Sequence, residues 1–547
     1  MNRIFLPLVV VSGLALVFLG SCHKRDMATR FSEMLSLTKN TIILDGTSGS
    51  SDTFSIHSTL PWKASVSSAA NWLQVDKTWG EPGNTVIRIT VSSSSPITPT
   101  SVTITFSSLT DCCVQPVTLT VTVRPFNFNL AVRRVFGGSQ DDATGRNSIA
   151  RTADGGIIIA GSTNSQDGDI RSNHGSYDVW VVKLNSGGEI AWSRTYGGSG
   201  YDWASSVAET TDGNFVVTGF TNSNDGDVTG FHGGSGSDVW TLKLDSEGNV
   251  IWAKTFGGTS DDAARTVVAT PGGGCALAGF ASSGDGDVHG NHGGSDLWVL
   301  RLNSQGDTLW TASYGGSFWD EASHMTVTPD GGLALTGLTY SNDGDVSGYH
   351  VPTFPAADVW TIKLNANGKK IWTKTLGGSM DEVGISIVSC PTGGYLIAAY
   401  SQSNDGDIED HHGNTFFVDI WLVKLDEDGN KIWAKNYGGS LDDGPTSVVV
   451  TLDGGYILTG GTASHDGDFS GSQSEYDNMF ILKIKGNGNI EWSRKLGGSK
   501  DDIGYSVIED SPGAYWLAGS TNSSDGDLYN SGYHGDYDLW AVRFVVQ

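Results

Sequence analysis

Two aspartates separated by one glycine recur seven times in the 547-residue chain. The triplets start at Asp167, Asp225, Asp285, Asp343, Asp405, Asp466 and Asp525, and their second carboxylates are Asp169, Asp227, Asp287, Asp345, Asp407, Asp468 and Asp527. Residues of this type at this spacing can do three kinds of chemistry. They can cap a tight turn through Asx hydrogen bonds, with glycine supplying a positive φ. They can offer oxygen ligands to a hard cation such as Ca²⁺. They can serve as an acid and base pair. Seven equivalent copies argue against catalysis, which needs one asymmetric constellation. No nucleophile elbow or phosphate loop stands at a strand–helix junction. The spacing is not that of an EF-hand, so capped turns and Ca²⁺ at the fourteen carboxylates remain competing expectations.

A histidine follows each triplet: His174, His232, His292, His350, His412 and, after a short insertion, His534. The sixth copy has Gln473 instead. Imidazole suits zinc or copper better than calcium, which favours a hydrogen bond that fixes the loop. A Gly-Gly pair precedes each triplet, starting at Gly137, Gly197, Gly257, Gly315, Gly377, Gly438 and Gly497. After each pair comes an acid: Asp142, Asp202, Asp262, Asp320, Glu382, Asp443 or Asp502. An Asp also stands before Trp or its equivalent in six copies, with Asn478 in the sixth. Two basic series run through the same repeats, one headed by Lys183 and Lys243 and one by Arg194 and Lys254. Their numbers match, so the expectation is ion pairs between neighbouring repeats, which leaves the Asp-Gly-Asp carboxylates without a repeated partner.

The elements that must position these residues follow from the period of roughly 60 residues, which signifies a stacked array or a propeller. In the copy Tyr196 to Trp252, Ser206-Val207 marks a first strand and Asp212-Gly213 turns into a second at Phe215 to Thr218. A long loop leads to a third strand, Val239 to Leu244, and Gly248-Asn249 turns into a fourth, Val250 to Thr255. Two tight turns and one long connection fit a four-stranded antiparallel blade, and seven blades make a closed ring. The last copy lacks a fourth strand, while an orphan strand at Leu130 to Val135 precedes the first Gly-Gly. That strand is expected to complete the seventh blade, with Val132 in the slot filled elsewhere by Trp192, Trp252, Trp310, Trp372, Trp433 and Trp492. In such a meander the Gly-Gly turns and Asp-Gly-Asp loops share one face, and the tight turns take the other. Function is expected on the long-loop face, with Asp202, His232, Asp320 and His350 as its ligand residues. Irregular loops at Val351 to Ala357 and Asp410 to Phe417 are where the symmetry breaks.

The residues Tyr196-Gly197-Gly198-Ser199, Asp202, Ala204, Asp212-Gly213-Asn214 and Val217-Thr218-Gly219 resemble the bacterial seven-bladed β-propeller repeat family over residues 130–547. The resemblance implies a fold and an extracytoplasmic setting, not an activity, and the Asp-Gly-Asp loop departs from it. Residues 31–125 form a separate unit of short alternating strands, as in Ile87, Ile89, Val91 and Val102, Ile104, Phe106, and read as a β-sandwich. Trp62-Lys63-Ala64-Ser65, Asn71-Trp72-Leu73-Gln74-Val75, Asn84-Thr85-Val86-Ile87 and Val102-Thr103-Ile104-Thr105-Phe106 resemble the BACON domain. That resemblance implies an Ig-like envelope module proposed to bind carbohydrate. Trp62 and Trp72 are read as core residues in preference to sugar platforms.

Residues 1–22 read as a targeting segment: a basic Asn2-Arg3, an apolar run, then Leu19-Gly20-Ser21-Cys22. This resembles a bacterial lipoprotein signal, which implies lipidation at Cys22, a linker at 23–30 and an outer-membrane destination. The remaining cysteines, Cys112, Cys113, Cys275 and Cys390, match no zinc or disulfide framework and read as small hydrophobes. A formal charge of −27 argues against a nucleic-acid partner. The reading as a whole is an all-β, monomeric, lipid-anchored envelope protein that binds glycan or protein without catalysis. A propeller glycoside hydrolase or lyase, and a scaffold in an outer-membrane assembly, are the alternatives.

Overall fold

The computed structural model describes residues 35–45, 51–66, 73–91, 100–110, 114–124, 128–234, 236–350, 356–469, 476–529 and 531–546. Cys22, the segment 1–30, Trp72, Cys112, Cys113, Val351 to Pro355 and Gln473 lie outside them. The described chain is all-β and divides near residue 128 into two units. No described helix is long and apolar enough to cross a membrane.

In the N-terminal unit one sheet runs in the order Leu35–Leu37, Ser51–Ser58, Gly83–Val91, Leu73–Val75. The other runs Thr41–Asp45, Val117–Arg124, Thr100–Ser108, Trp62–Val66, Trp79–Gly80. Alternation places Ile87, Ile89 and Val91 from the first and Ile104, Phe106, Leu119 and Val121 from the second in one core. Period-2 patterning buries one face of each sheet, and burying a side chain of this size contributes about 1.5–3 kcal/mol. Trp62 is fully buried there, edge-on to Phe106 at 5.7 Å, as a core residue should be. Among the described residues of this unit, Trp79, which the pattern did not single out, is an exposed tryptophan, at 64%.

The second unit is a β-propeller of seven four-stranded antiparallel sheets. In the second sheet the strands are Asp202–Glu209, Phe215–Thr221, Asp238–Leu244 and Val250–Phe256. The second and third strands pair without interruption, from Phe215↔Leu244 to Thr221↔Asp238. First strands pack against first strands of neighbouring sheets, so they form the innermost ring. The apolar core lies between sheets. Val179 and Val181 of the first sheet meet Ala204, Val217 and Trp240 of the second.

The ring closes as expected. Phe128–Phe136 forms the outer edge of the last sheet, paired with Asp538–Val546. The seam repeats the contact made elsewhere: Asp142 N–H donates to the Tyr537 carbonyl at 2.6 Å, as Asp202 N–H does to Tyr177 at 2.7 Å. Val132 also occupies the tryptophan slot. Trp192 lies against Gly248, the turn glycine of the next sheet (φ 80°), and its Nε1 donates to the Ser246 carbonyl at 2.9 Å. At the seam Val132 covers Gly188 in the same way.

Each first strand carries a β-bulge, which adds twist at the inner ring. In the second sheet the register slips between Ala204 and Ser206. In the first sheet the irregularity is longer, between Thr144 and Ile149. Two extra residues are accommodated there, with Asn147 at φ 57°.

Candidate functional site

The Asp-Gly-Asp triplets close onto the Gly-Gly turns. Asp225 Oδ1 accepts the Ser199 N–H at 2.7 Å, and Asp227 Oδ2 accepts the Gly197 N–H at 3.2 Å. The Asp227 N–H returns a bond to the Gly197 carbonyl at 2.9 Å. The same bonds recur around the ring, for example at Asp285 with Thr259 and Asp466 with Ser440. The backbone hydrogen bonds hold the Asp167, Asp225 and Asp285 carboxyls below the usual range. Gly226 has φ 64°, and any Cβ there would overlap the Gly197 carbonyl. The apolar residue after each triplet (Ile170, Val228, Val288, Val346, Ile408, Phe469 or Leu528) is buried and pins the turn. Thus the fourteen carboxylates do have repeated partners, which are backbone N–H groups of the Gly-Gly turns.

These contacts bear on the cation. Among the described residues, no three His, Cys, Asp or Glu side chains gather in a group that could hold a metal ion. Each triplet's carboxylates turn to two different N–H groups and do not converge. The donor set fits capped turns and does not fit a side-chain cage for Ca²⁺.

Beyond the triplet the loop lies along the fourth strand of its own sheet. Thr195 donates to the Ser172 carbonyl at 2.7 Å, Thr255 to Thr229 at 3.0 Å and Ser313 to His289 at 3.0 Å. Lys431 pairs with Asp407 across the same gap at 2.5 Å.

The acid after Gly-Gly is not a ligand residue. Asp202 and Asp320 are fully buried, which corrects the expectation that they face a ligand. Asp202 Oδ2 accepts from Gly198 N–H at 2.7 Å and Ser223 Oγ at 2.8 Å, while Thr221 binds Oδ1. The Thr-x-Ser at the end of five of the seven second strands, with Ala281 and Ser401 in place of the Thr in the other two, was the legible signal for this nest, as in Thr521-Asn522-Ser523. Burial nevertheless raises these acids. Asp443 and Asp502 are pushed up to about 6.

The Asp that begins each third strand faces the acid of the next sheet. Asp238 Oδ1 has no hydrogen-bond partner, and both it and Asp262 Oδ2 crowd Gly257, within 2.7 and 2.8 Å of where a Cβ would stand. Only glycine leaves room for the two oxygens. Burial, then the neighbouring Asp142 and Asp169 charges, pushes Asp538 up to about 7. The histidine answers from the other side. His232 N–H and Nδ1 both contact Asp238 Oδ2 at 2.8 Å, and its Nε2 lies 3.6 Å from Asp287 of the next sheet. His350 makes the equivalent contacts with Asp358 and Asp407. In the sixth sheet Asn478 replaces the Asp and the histidine is missing from the sequence as well. The two substitutions go together because the amide needs no counter-charge.

The expected pairing of basic strand residues with these buried acids is overturned. Lys183, Lys243 and Lys483 instead bind Asp154, Asp212 and Asp453, which lie between the first and second strands, and Arg543 binds Asp510 near the end of the last sheet's first strand. Lys243 also donates to the Gly273 and Ser304 carbonyls of the next sheet. This sets the tight turns together on one face, away from Asp202 and Asp225, as the strand order required.

Large apolar side chains break the pattern on the other face. Tyr201, Phe318, Trp319 and Met380 follow Gly-Gly turns and are exposed, Trp319 at 57%. Tyr201 stacks on Tyr177 at 5.1 Å, Tyr177 leans on Trp203 at 5.6 Å, and Trp203 stacks on Phe220 at 6.5 Å. Trp319 meets Tyr340 edge-on at 6.1 Å, and Phe416, in the irregular loop of the fifth sheet, is 85% exposed. Cys275 and Cys390 are buried free thiols, and burial pushes Cys275 up to about 12.

No protein-family model matches the chain. It is 24% identical over 271 residues to the regulatory protein FlaEY of Caulobacter vibrioides, covering 46% of this chain and 27% of that protein. It is 19% identical over 411 residues to an uncharacterized WD repeat-containing protein of Acanthamoeba polyphaga mimivirus, covering 64% of this chain and 26% of that one. The chain therefore spans about a quarter of the length of these curated relatives. The solved structure of puromycin hydrolase aligns with 71% of this chain and 53% of its own at 11% identity, with a TM-score of 0.39.

Proposed function

We propose that this chain is a non-catalytic, lipid-anchored envelope protein whose propeller binds glycan on the long-loop face, with the N-terminal BACON-like, Ig-like sandwich as a spacer. The observation that carries this reading is the exposed aromatic set around the Gly-Gly turns, above all Tyr201 and Trp319. Flat rings open to water on a rigid β frame suit the apolar face of a sugar. The repeated polar groups, by contrast, are engaged in holding turns, which supports binding over turnover. Anchorage rests on the sequence Leu19-Gly20-Ser21-Cys22.

The test is a glycan array with the parent protein and the variants Tyr201→Ala and Trp319→Ala. Retention of defined neutral glycans, lost in either variant and without shortening of the glycan, is the expected result. Shortened glycans would replace this reading with the hydrolase or lyase. No glycan retained, with envelope proteins recovered by pull-down, would replace it with the scaffold.

A further inference from the structure

The one long irregularity of the inner ring places an arginine on the propeller axis. The two extra residues fall in Gly145-Arg146-Asn147-Ser148, which interrupts the pairing between Thr144 and Ile149, with Asn147 left-handed at φ 57°. The strand that carries it, Asp142–Arg151, reaches past the seventh sheet to the first strand of the sixth. Arg146 is open to water and yet sits within electrostatic reach of Tyr400, Tyr505 and Arg265. Those residues belong to the fifth, seventh and third sheets, and Arg146 to the first. Side chains from four separate blades can meet only at the centre of the ring. Arg265 stands at the bulge of its own strand, also open to water, with its guanidinium 5.2 Å from the centre of the Phe280 ring.

These two cations differ from the paired lysines of the third strands. Lys183, Lys243 and Lys483 each have an aspartate within 3 Å. Among the described residues neither Arg146 nor Arg265 makes a hydrogen bond or an ion pair. The acids nearby are Glu321, within reach of Arg265, and Asp381, which acts on Tyr400. In a chain of formal charge −27, one guanidinium on the axis with no ion pair and a second with only Glu321 in reach mark a place kept for an external anion.

We propose that the propeller axis is a binding site for a carboxylate-bearing ligand, held by Arg146 and Arg265 and walled by Tyr400 and Tyr505. A guanidinium presents a planar fork that matches a carboxylate with two parallel hydrogen bonds. The phenol hydroxyls add donors, and the rings give flat walls for the carbon skeleton. With Glu321 beside Arg265, the site carries less positive charge than two free arginines. That suits a singly charged carboxylate better than a phosphate dianion. The carboxylate can come from a uronate residue of a glycan or from a free organic acid. The site is distinct from the aromatic rim of the glycan reading, and different variants test the two.

The experiment is titration calorimetry of the full chain with trigalacturonate, its methyl ester and gluconate, at low and high salt. Binding of trigalacturonate or gluconate, weakened by salt and absent for the ester, is expected. Arg146→Gln and Arg265→Gln should each weaken it by about tenfold or more, while Trp319→Ala leaves it intact. Trigalacturonate alone would identify a uronate source, and gluconate alone a free acid. Thermal melts matching the parent would show that each variant folds. Should one fail to fold, the other carries the test. The proposal is overturned if neither acid binds, if the ester binds as well as the acid, or if a folded arginine variant keeps the parent affinity. Loss of neutral-glycan binding in Trp319→Ala bears on the rim alone.

Discussion

Replacing Asp538 with asparagine should make the propeller more stable at neutral and alkaline pH. Asp538 is fully buried, its Oδ1 lacks a hydrogen-bond partner, and Asp142 faces it across Gly137. Its pKa rises from 3.8 to about 7, chiefly through burial. A group whose folded pKa is raised contributes stability that is fully present below the unfolded value and is lost as pH climbs through the folded value. The window here is therefore pH 3.8 to about 7. At 1.36 kcal/mol per unit, and allowing for the half-exposed His534 nearby, the loss is on the order of 2–4 kcal/mol. An asparagine can still accept the His534 N–H and can offer its amide to Asp142. The sixth sheet already uses this solution at Asn478. The assay is urea unfolding followed by tryptophan fluorescence at about pH 5 and about pH 8, in high salt so that surface repulsion is screened. The parent should lose stability on going to the higher pH, and Asp538→Asn should lose about 2 kcal/mol less. Parallel curves for the two proteins would refute the reasoning.

Acid, point substitutions and a strand deletion give further expected outcomes. Acid should act in the opposite sense on the tight-turn face: Asp154, Asp212 and Asp453 are held near 2, by Lys183, Lys243 and Lys483 among other hydrogen bonds, so their contribution is lost as pH falls from 3.8 towards 2. Substituting Asp212 with asparagine should accordingly lower the unfolding free energy from urea titration at pH 7 by about 1–3 kcal/mol, since Lys243 is left buried. Gly226→Ala should cost about 1–3 kcal/mol, because a left-handed turn and an overlap with the Gly197 carbonyl both oppose a Cβ; a neutral substitution would contradict the turn described here. Removing residues 128–136 should lower the melting temperature and expose the Asp538–Val546 edge to hydrogen exchange, whereas millimolar Ca²⁺ against a chelator should leave the melting temperature of the intact chain unchanged.

The fold was written in the repeat. The spacing of Gly-Gly, Asp-Gly and tryptophan located all four strands of a blade, and the truncated last copy located the seam. The outlines of the site were harder to read because charge counts carry no direction. Basic strand residues and acids matched in number, yet Lys243 is set close to the tight turns and finds Asp212, while Asp202 sits in a nest of N–H and hydroxyl donors. Backbone N–H groups are invisible to side-chain accounting, so the partners of Asp225 and Asp227 were missed although the adjoining Gly-Gly-Ser was in view. Arg146 was overlooked for a different reason. An insertion of two residues in one of seven copies looks like alignment noise until the inner ring shows where it points.

The loops that follow the triplets have one more effect. A blade ends in a fourth strand whose outer side would offer unpaired backbone groups to any passing extended chain, the usual beginning of sheet-to-sheet aggregation. Here the loop lies along that strand and takes up its hydroxyls, as at Thr195, Thr255 and Ser313. Its exposed aspartates, such as Asp225 and Asp227, give the rim a common negative sign. Strand addition at that edge is thereby opposed. The acidic loops serve colloidal stability even where they touch no ligand at all.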